Sequence, residues 1–99
     1  MTDTPKQANG DTGFSAHVEG QVQGVGFRAW VSTLARSMGI RGYVRNNRDG
    51  SVDVLAIGPR ESLTTLVERL REGPPEANVR NVQIMWGNVP DAPAGFEVR

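Results

Sequence analysis

The residues best placed to do chemistry lie in one stretch, Gly20-Gln21-Val22-Gln23-Gly24-Val25-Gly26-Phe27-Arg28. Its glycines, Gly20, Gly24 and Gly26, allow a tight loop whose backbone N–H groups turn inward. A helix pattern begins near Phe27, so unpaired N–H groups and the positive end of the helix dipole face the same place. Such a loop holds a phosphate or a carboxylate. Arg28 is a cation in the first helical turn, where stability alone favours Asp or Glu. A bound anion between loop, helix start and guanidinium resolves that conflict.

A second candidate is Asn46. Asn is disfavoured in strands because its amide competes for backbone bonds, yet Asn46 shares the parity of Val44 near the end of a strand pattern. It reads as a placed amide, whereas Asn47 reads as the approach to a turn. His17, the single histidine, alternates with Val18 and reads as an exposed strand residue rather than a base. Trp30 and Trp86 read as packing residues. With one histidine, no cysteine and no clustered carboxylates, the sequence offers no metal site, and thiol or disulfide chemistry is excluded.

The elements that must position these residues follow from periodicity. Met1 to Thr12 is polar and reads as a flexible tail, leaving residues 13–99 as one domain. Phe14, Ala16 and Val18 alternate as a first strand. Phe27, Val31, Leu34, Ala35 and Met38 form one side of a helix that stops at Gly39. Gly42 to Arg48 and Ser51 to Gly58 are strands joined at Asp49-Gly50, a hairpin signal. Pro59 suits the first position of a second helix, with Leu63, Leu66, Val67 and Leu70 buried and Gly73-Pro74-Pro75 as its end. Val82, Ile84 and Trp86 alternate in a fourth strand. Pro90 to Gly95 is a connection, and Phe96 to Arg99 a short last strand. The order βαββαβ predicts an α+β, ferredoxin-like sandwich, with two helices on one face of an antiparallel sheet and a terminal edge strand.

Other readings fail on this framework. Gly24-x-Gly26-x-x-Ala29 formally fits a dinucleotide fingerprint, with Asp49 downstream. However, Asp49 sits in a hairpin turn and the parallel crossovers of such a fold are missing. No Gly-Lys-Ser/Thr follows the glycines, which excludes a P-loop. A formal net charge of zero, without aromatic pairs on the first and third strands, speaks against nucleic acid. No apolar run reaches the roughly 18 residues that span a bilayer, and the start has no hydrophobic signal region, so a cytoplasmic location is expected; a monomer is expected as well.

Two motifs carry a family resemblance. Gly20 to Arg28 resembles the signature of the acylphosphatase family, and Gly42-Tyr43-Val44-Arg45-Asn46-Asn47-Arg48-Asp49-Gly50-Ser51-Val52 is similar to its second signature. The resemblance covers about Phe14 to Arg99. It implies the ferredoxin-like fold and hydrolysis of the carboxyl–phosphate bond of acyl phosphates, without metal or cofactor. By resemblance Arg28 is the phosphate-binding arginine and Asn46 orients the attacking water. The backbone from Gln21 through Val22, Gln23, Gly24, Val25 and Gly26 to Phe27 is the phosphate cradle. The expected partners are an acyl phosphate substrate and inorganic phosphate as product and inhibitor. The rival expectation is a non-catalytic module of the same fold that binds an anion such as carbamoyl phosphate.

Overall fold

The computed structural model describes residues 11–87 and 92–99. The elements run β1 (Asp11–Gln21), α1 (Phe27–Ser37), β2 (Arg41–Asn46), β3 (Val52–Pro59), α2 (Arg60–Glu72), β4 (Asn78–Trp86) and β5 (Phe96–Val98). This is the expected order, and the strands form one sheet in the order β4-β1-β3-β2-β5. The four long strands pair antiparallel. β5 joins β2 in parallel, with Gly42 opposite Phe96 and Val44 opposite Val98. The sheet is therefore mixed rather than purely antiparallel. Phe96 begins its strand at the same end of the sheet as Gly42, because the chain returns there from the far edge.

Alternation does its work on β1 and β3. Phe14, Ala16 and Val18 are buried, as are Val52, Val54 and Ala56 opposite them. Phe27, Val31 and Ala35 of α1 and Leu63, Leu66 and Leu70 of α2 cover that face and complete the core. Leu34, Met38 and Val67 pack at its margin. Among the described residues the other face of the sheet carries no helix, and it exposes Met85.

The ends of α1 follow backbone chemistry. Gly39 takes φ +69°, and the Ile40 N–H reaches back to the Ala35 carbonyl at 2.9 Å while Gly39 bonds Arg36 at 3.2 Å. This is a Schellman closure, with buried Ile40 as its apolar contact.

Several boundaries differ from the sequence reading. β2 ends at Asn46 rather than Arg48, because the Asn47 N–H already turns to the Ser51 carbonyl in the hairpin. β1 begins at Asp11, which pairs with Pro59, so two residues assigned to the tail belong to the sheet. β4 begins at Asn78, before the apolar alternation, because Asn78 and Val79 pair with Gln21 and Gly20. Pro59 is the cap residue before α2, not its first turn: its ψ of 140° is extended, and it closes β3. The expected connection from Pro90 lies partly outside the described residues.

Candidate functional site

The loop between β1 and α1 is set by backbone geometry. At Gly20 the ladder to β4 shifts register, and a side chain here would overlap the Asn78 carbonyl. That bulge turns the chain out of the sheet. Gly24 and Gly26 then adopt φ +76° and +77°, the left-handed region that favours glycine. A Cβ at either position would meet nothing within 4 Å, so backbone conformation rather than crowding requires glycine there.

Helix α1 starts directly after Gly26. Its first intrahelical bond runs from the Trp30 N–H to the Gly26 carbonyl at 3.0 Å. The N–H groups of Phe27, Arg28 and Ala29 thus have no helical acceptor. No side chain caps them, and the first turn contains no acidic residue. They open onto a depression of about 240 Å³ lined by Val22, Gln23, Gly24, Gly26, Phe27, Arg28, Ala29, Asn46 and Val98. The lining carries one cation and no carboxylate.

Arg28 and Asn46 reach this depression from different elements. Arg28 stands in the first turn of α1, and its Nη1 donates to the main-chain oxygen of Arg99 at 2.8 Å. Asn46 is the last residue of β2, on the side of Val44 that faces the helices. Its Oδ1 is buried and has no hydrogen-bond partner. An orphaned buried acceptor costs on the order of 1–3 kcal/mol, and its residue borders the depression.

The hairpin behind Asn46 is tightly bonded. The Asn47 N–H donates to the Ser51 carbonyl at 2.8 Å, and Gly50, at φ +96°, donates to the Asn47 carbonyl at 3.2 Å. The Asp49 carboxylate accepts the Ser51 N–H at 2.9 Å and the Ser51 hydroxyl at 2.6 Å. These bonds, the hydroxyl first, hold the Asp49 pKa below its ordinary value. The turn is longer than a two-residue Asp-Gly hairpin, and Asn47 belongs to it as expected.

The sequence-predicted residues thus fall into groups. Arg28, Asn46, Val22, Gln23, Gly24, Gly26 and Phe27 line the depression. Val25 packs partly buried against the core, and Gln21 is the exposed last residue of β1; neither is in the lining. Ala29 and Val98 were not anticipated. Val98 arrives through the parallel β2–β5 pairing, which no local pattern announces.

His17 stands apart. It lies half-exposed on the helix-free face, where Nδ1 sits 2.9 Å from Asp53 Oδ1. The Asp53 hydrogen bond raises its pKa above the ordinary value. Burial pushes the Asp53 pKa up, but hydrogen bonds to His17, Asn47 and Arg45 outweigh it and leave a net lowering. Trp30 packs against Phe27, as expected of it. Trp86 packs edge-on against Phe14 beneath the Arg60 guanidinium, yet remains 38% exposed. Among the described residues no group of three or more metal-ligating side chains occurs, and no helix is long and apolar enough to cross a membrane.

The profile of a single family, described as Acylphosphatase, matches residues 14–98. An acylphosphatase of Salinibacter ruber is 46% identical over 86% of this chain and 90% of its own. One of Nocardia farcinica is 43% identical over the full length of both. Among solved structures, an acylphosphatase from Coxiella burnetii superposes with a TM-score of 0.87 at 39% identity, covering both chains completely.

Proposed function

We propose that this chain, which belongs to the acylphosphatase family, hydrolyses acyl phosphates by in-line attack of a water held by Asn46 on a phosphate held by Arg28 and the glycine loop. The observation that carries the reading is the meeting at one depression of Arg28, the uncapped start of α1 and Asn46, whose buried Oδ1 has no partner among the described residues.

An acyl phosphate is a mixed anhydride. Its leaving group is a carboxylate whose conjugate acid has a pKa of roughly 4, so it departs without a proton and needs no general acid. Phosphoryl transfer passes through a loose, in-line transition state with charge on three equatorial oxygens. Positioning and charge stabilisation then supply most of the catalysis.

The loop and helix N–H groups take phosphate oxygens. Arg28 keeps Nη1 on the main-chain oxygen of Arg99 and offers its remaining donors to the phosphate as charge-assisted bonds. Asn46 Oδ1 accepts one O–H of the water and aims a lone pair at phosphorus. A neutral amide does this without adding negative charge beside the phosphate. The water's proton passes to a phosphate oxygen, giving a carboxylate and inorganic phosphate. Inorganic phosphate competes for the same cradle. The reaction needs no metal, because Arg28 and the N–H groups carry the charge compensation.

Turnover of benzoyl phosphate tests the proposal. Hydrolysis that is saturable and competitively inhibited by inorganic phosphate is expected. Phosphate binding without turnover would instead mark a non-catalytic anion-binding module.

A further inference from the structure

We infer that Gln23 is a positioning residue, whose side-chain amide ties the phosphate loop to the β2–β3 hairpin and so fixes the distance between the phosphate cradle and Asn46. The inference rests on the acylphosphatase reading of the site.

Both N–H groups of one amide are spent on this tie. Gln23 Nε2 donates to the Asn47 carbonyl at 2.7 Å and to the Ser51 carbonyl at 2.9 Å. Asn47 and Ser51 are themselves bonded to each other at the base of the hairpin. Asn47 follows Asn46 directly, and Ser51 precedes Val52, the cross-strand partner of Asn46. The amide therefore grips the hairpin on both strands, one residue from the water-holding side chain. Its own backbone lies in the loop that lines the depression.

The loop needs an external tie. Gly24 and Gly26 have no side chains to pack and stand in open space. Among the described residues no other side chain of the loop bonds to the hairpin. Charge does not explain Gln23, since both acceptors are neutral carbonyls that already have partners. The Ser51 carbonyl accepts from Asn47, and the Asn47 carbonyl from Gly50. Two satisfied carbonyls sharing one further amide is what a spacer between two catalytic parts requires. Reacting atoms must meet at about 3–3.5 Å, and a misplacement of about 1 Å costs on the order of 100-fold in rate.

Gln23→Met isolates the effect. It keeps the length of the side chain and removes both donors, while each carbonyl keeps its backbone partner, so the fold is expected to persist. In benzoyl phosphate hydrolysis kcat should fall by roughly 10- to 100-fold, with KM and the inhibition constant of phosphate within about three-fold. In an Asn46→Ala background the same change should cost less than about three-fold, because a spacer acts only through the residue it spaces. A full, multiplicative loss in that background overturns the inference. So does a variant whose kcat is intact while KM and phosphate inhibition weaken, which would make Gln23 part of the cradle alone.

A second measurement does not depend on turnover. Inorganic phosphate is titrated against isotopically labelled protein and the backbone amide shifts are followed by NMR. In the parent, loop and hairpin amides should respond together; in Gln23→Met the loop response should remain and that of Asn46 to Ser51 should fall away. An unchanged hairpin response contradicts the tie. Should the parent fail to hydrolyse benzoyl phosphate, or Asn46→Ala keep its kcat, the proposed function fails instead, and this titration still decides on Gln23.

Discussion

The guanidinium of Arg28 and the main-chain oxygen of Arg99, 71 positions apart, meet in a 2.8 Å hydrogen bond. Arg99 is itself anchored: its N–H bonds the Val44 carbonyl at 2.8 Å, and its side chain stacks on Tyr43 at 4.1 Å and bonds Glu97 at 3.0 Å. The last strand thus orients the cation of the first helical turn. A fork with several donors can serve that oxygen and a phosphate together, whereas an ammonium is a point charge without that geometry. Arg28→Ala should lose on the order of 3 kcal/mol or more in kcat/KM, and Arg28→Lys should recover only part of it. Inhibition by inorganic phosphate should weaken in parallel in both. Near-normal kinetics for Arg28→Ala would remove it from the site.

Asn46 should act on the chemical step. Asn46→Ala is expected to lower kcat by roughly 10²- to 10³-fold, the scale of one aligned hydrogen-bonding group, with a much smaller change in KM. Asn46→Asp keeps the shape but sets a carboxylate beside the phosphate. It should slow turnover and weaken phosphate binding together. If Asp equals or exceeds Asn, position 46 acts as a general base. Circular dichroism of both variants checks that the fold survives.

Gly24 tests the cradle through its backbone. At φ +76° with open space around it, Gly24→Ala adds no clash and only the left-handed penalty of about 1–2 kcal/mol. The melting temperature should drop by several degrees for a domain of this size. Phosphate inhibition should weaken as the loop relaxes to another conformation. Gly42→Ala differs in kind. Its Cβ would overlap the Leu55 carbonyl in the middle of the sheet, so loss of the fold is expected. Equal, mild effects of the two substitutions would contradict this distinction.

The His17–Asp53 pair predicts a pH dependence of stability without one of chemistry. His17 is raised above its ordinary 6.5, so its contribution is complete below that value and fades as pH rises through the higher folded pKa. Asp53 is lowered from 3.8, so its contribution is present above that value and is lost as pH falls through the lower folded pKa. The pair therefore stabilises most between about pH 4 and 6.5. Thermal melts of His17→Gln across pH should lose the decline on the alkaline side. Because the pair lies on the helix-free face, kcat should stay near that of the parent. A large loss of kcat would place His17 in the mechanism.

Much of this architecture was legible in local patterns. Alternation around Phe14 to Val18, the helical stripe from Phe27 to Met38 and the Asp49-Gly50 turn report short-range geometry, and each element formed where its pattern lies. The glycine loop was legible because a left-handed backbone demands glycine, and Asn46 because its parity set a polar side chain on a buried face. What remained hidden depends on partners distant in sequence. Asp11, Thr12 and Asn78 carry no strand signal and become strand only because Pro59, Gly58 and Gln21 pair with them. The parallel docking of β5, which brings Val98 to the site and Arg99 to Arg28, has no local signature. Neither has the reach of Gln23 to carbonyls 24 and 28 positions away.

The central claim is that water attacks phosphorus in a cradle that needs no metal. The most direct test is hydrolysis of benzoyl phosphate in heavy-oxygen water with EDTA present, with mass analysis of both products. Turnover should be undiminished and the heavy oxygen should enter inorganic phosphate entirely, with Asn46→Ala slowing the reaction without moving the label. Label in benzoate would show attack at the carbonyl carbon, and turnover abolished by EDTA and restored by magnesium would show a metal-dependent reaction; either result contradicts the account.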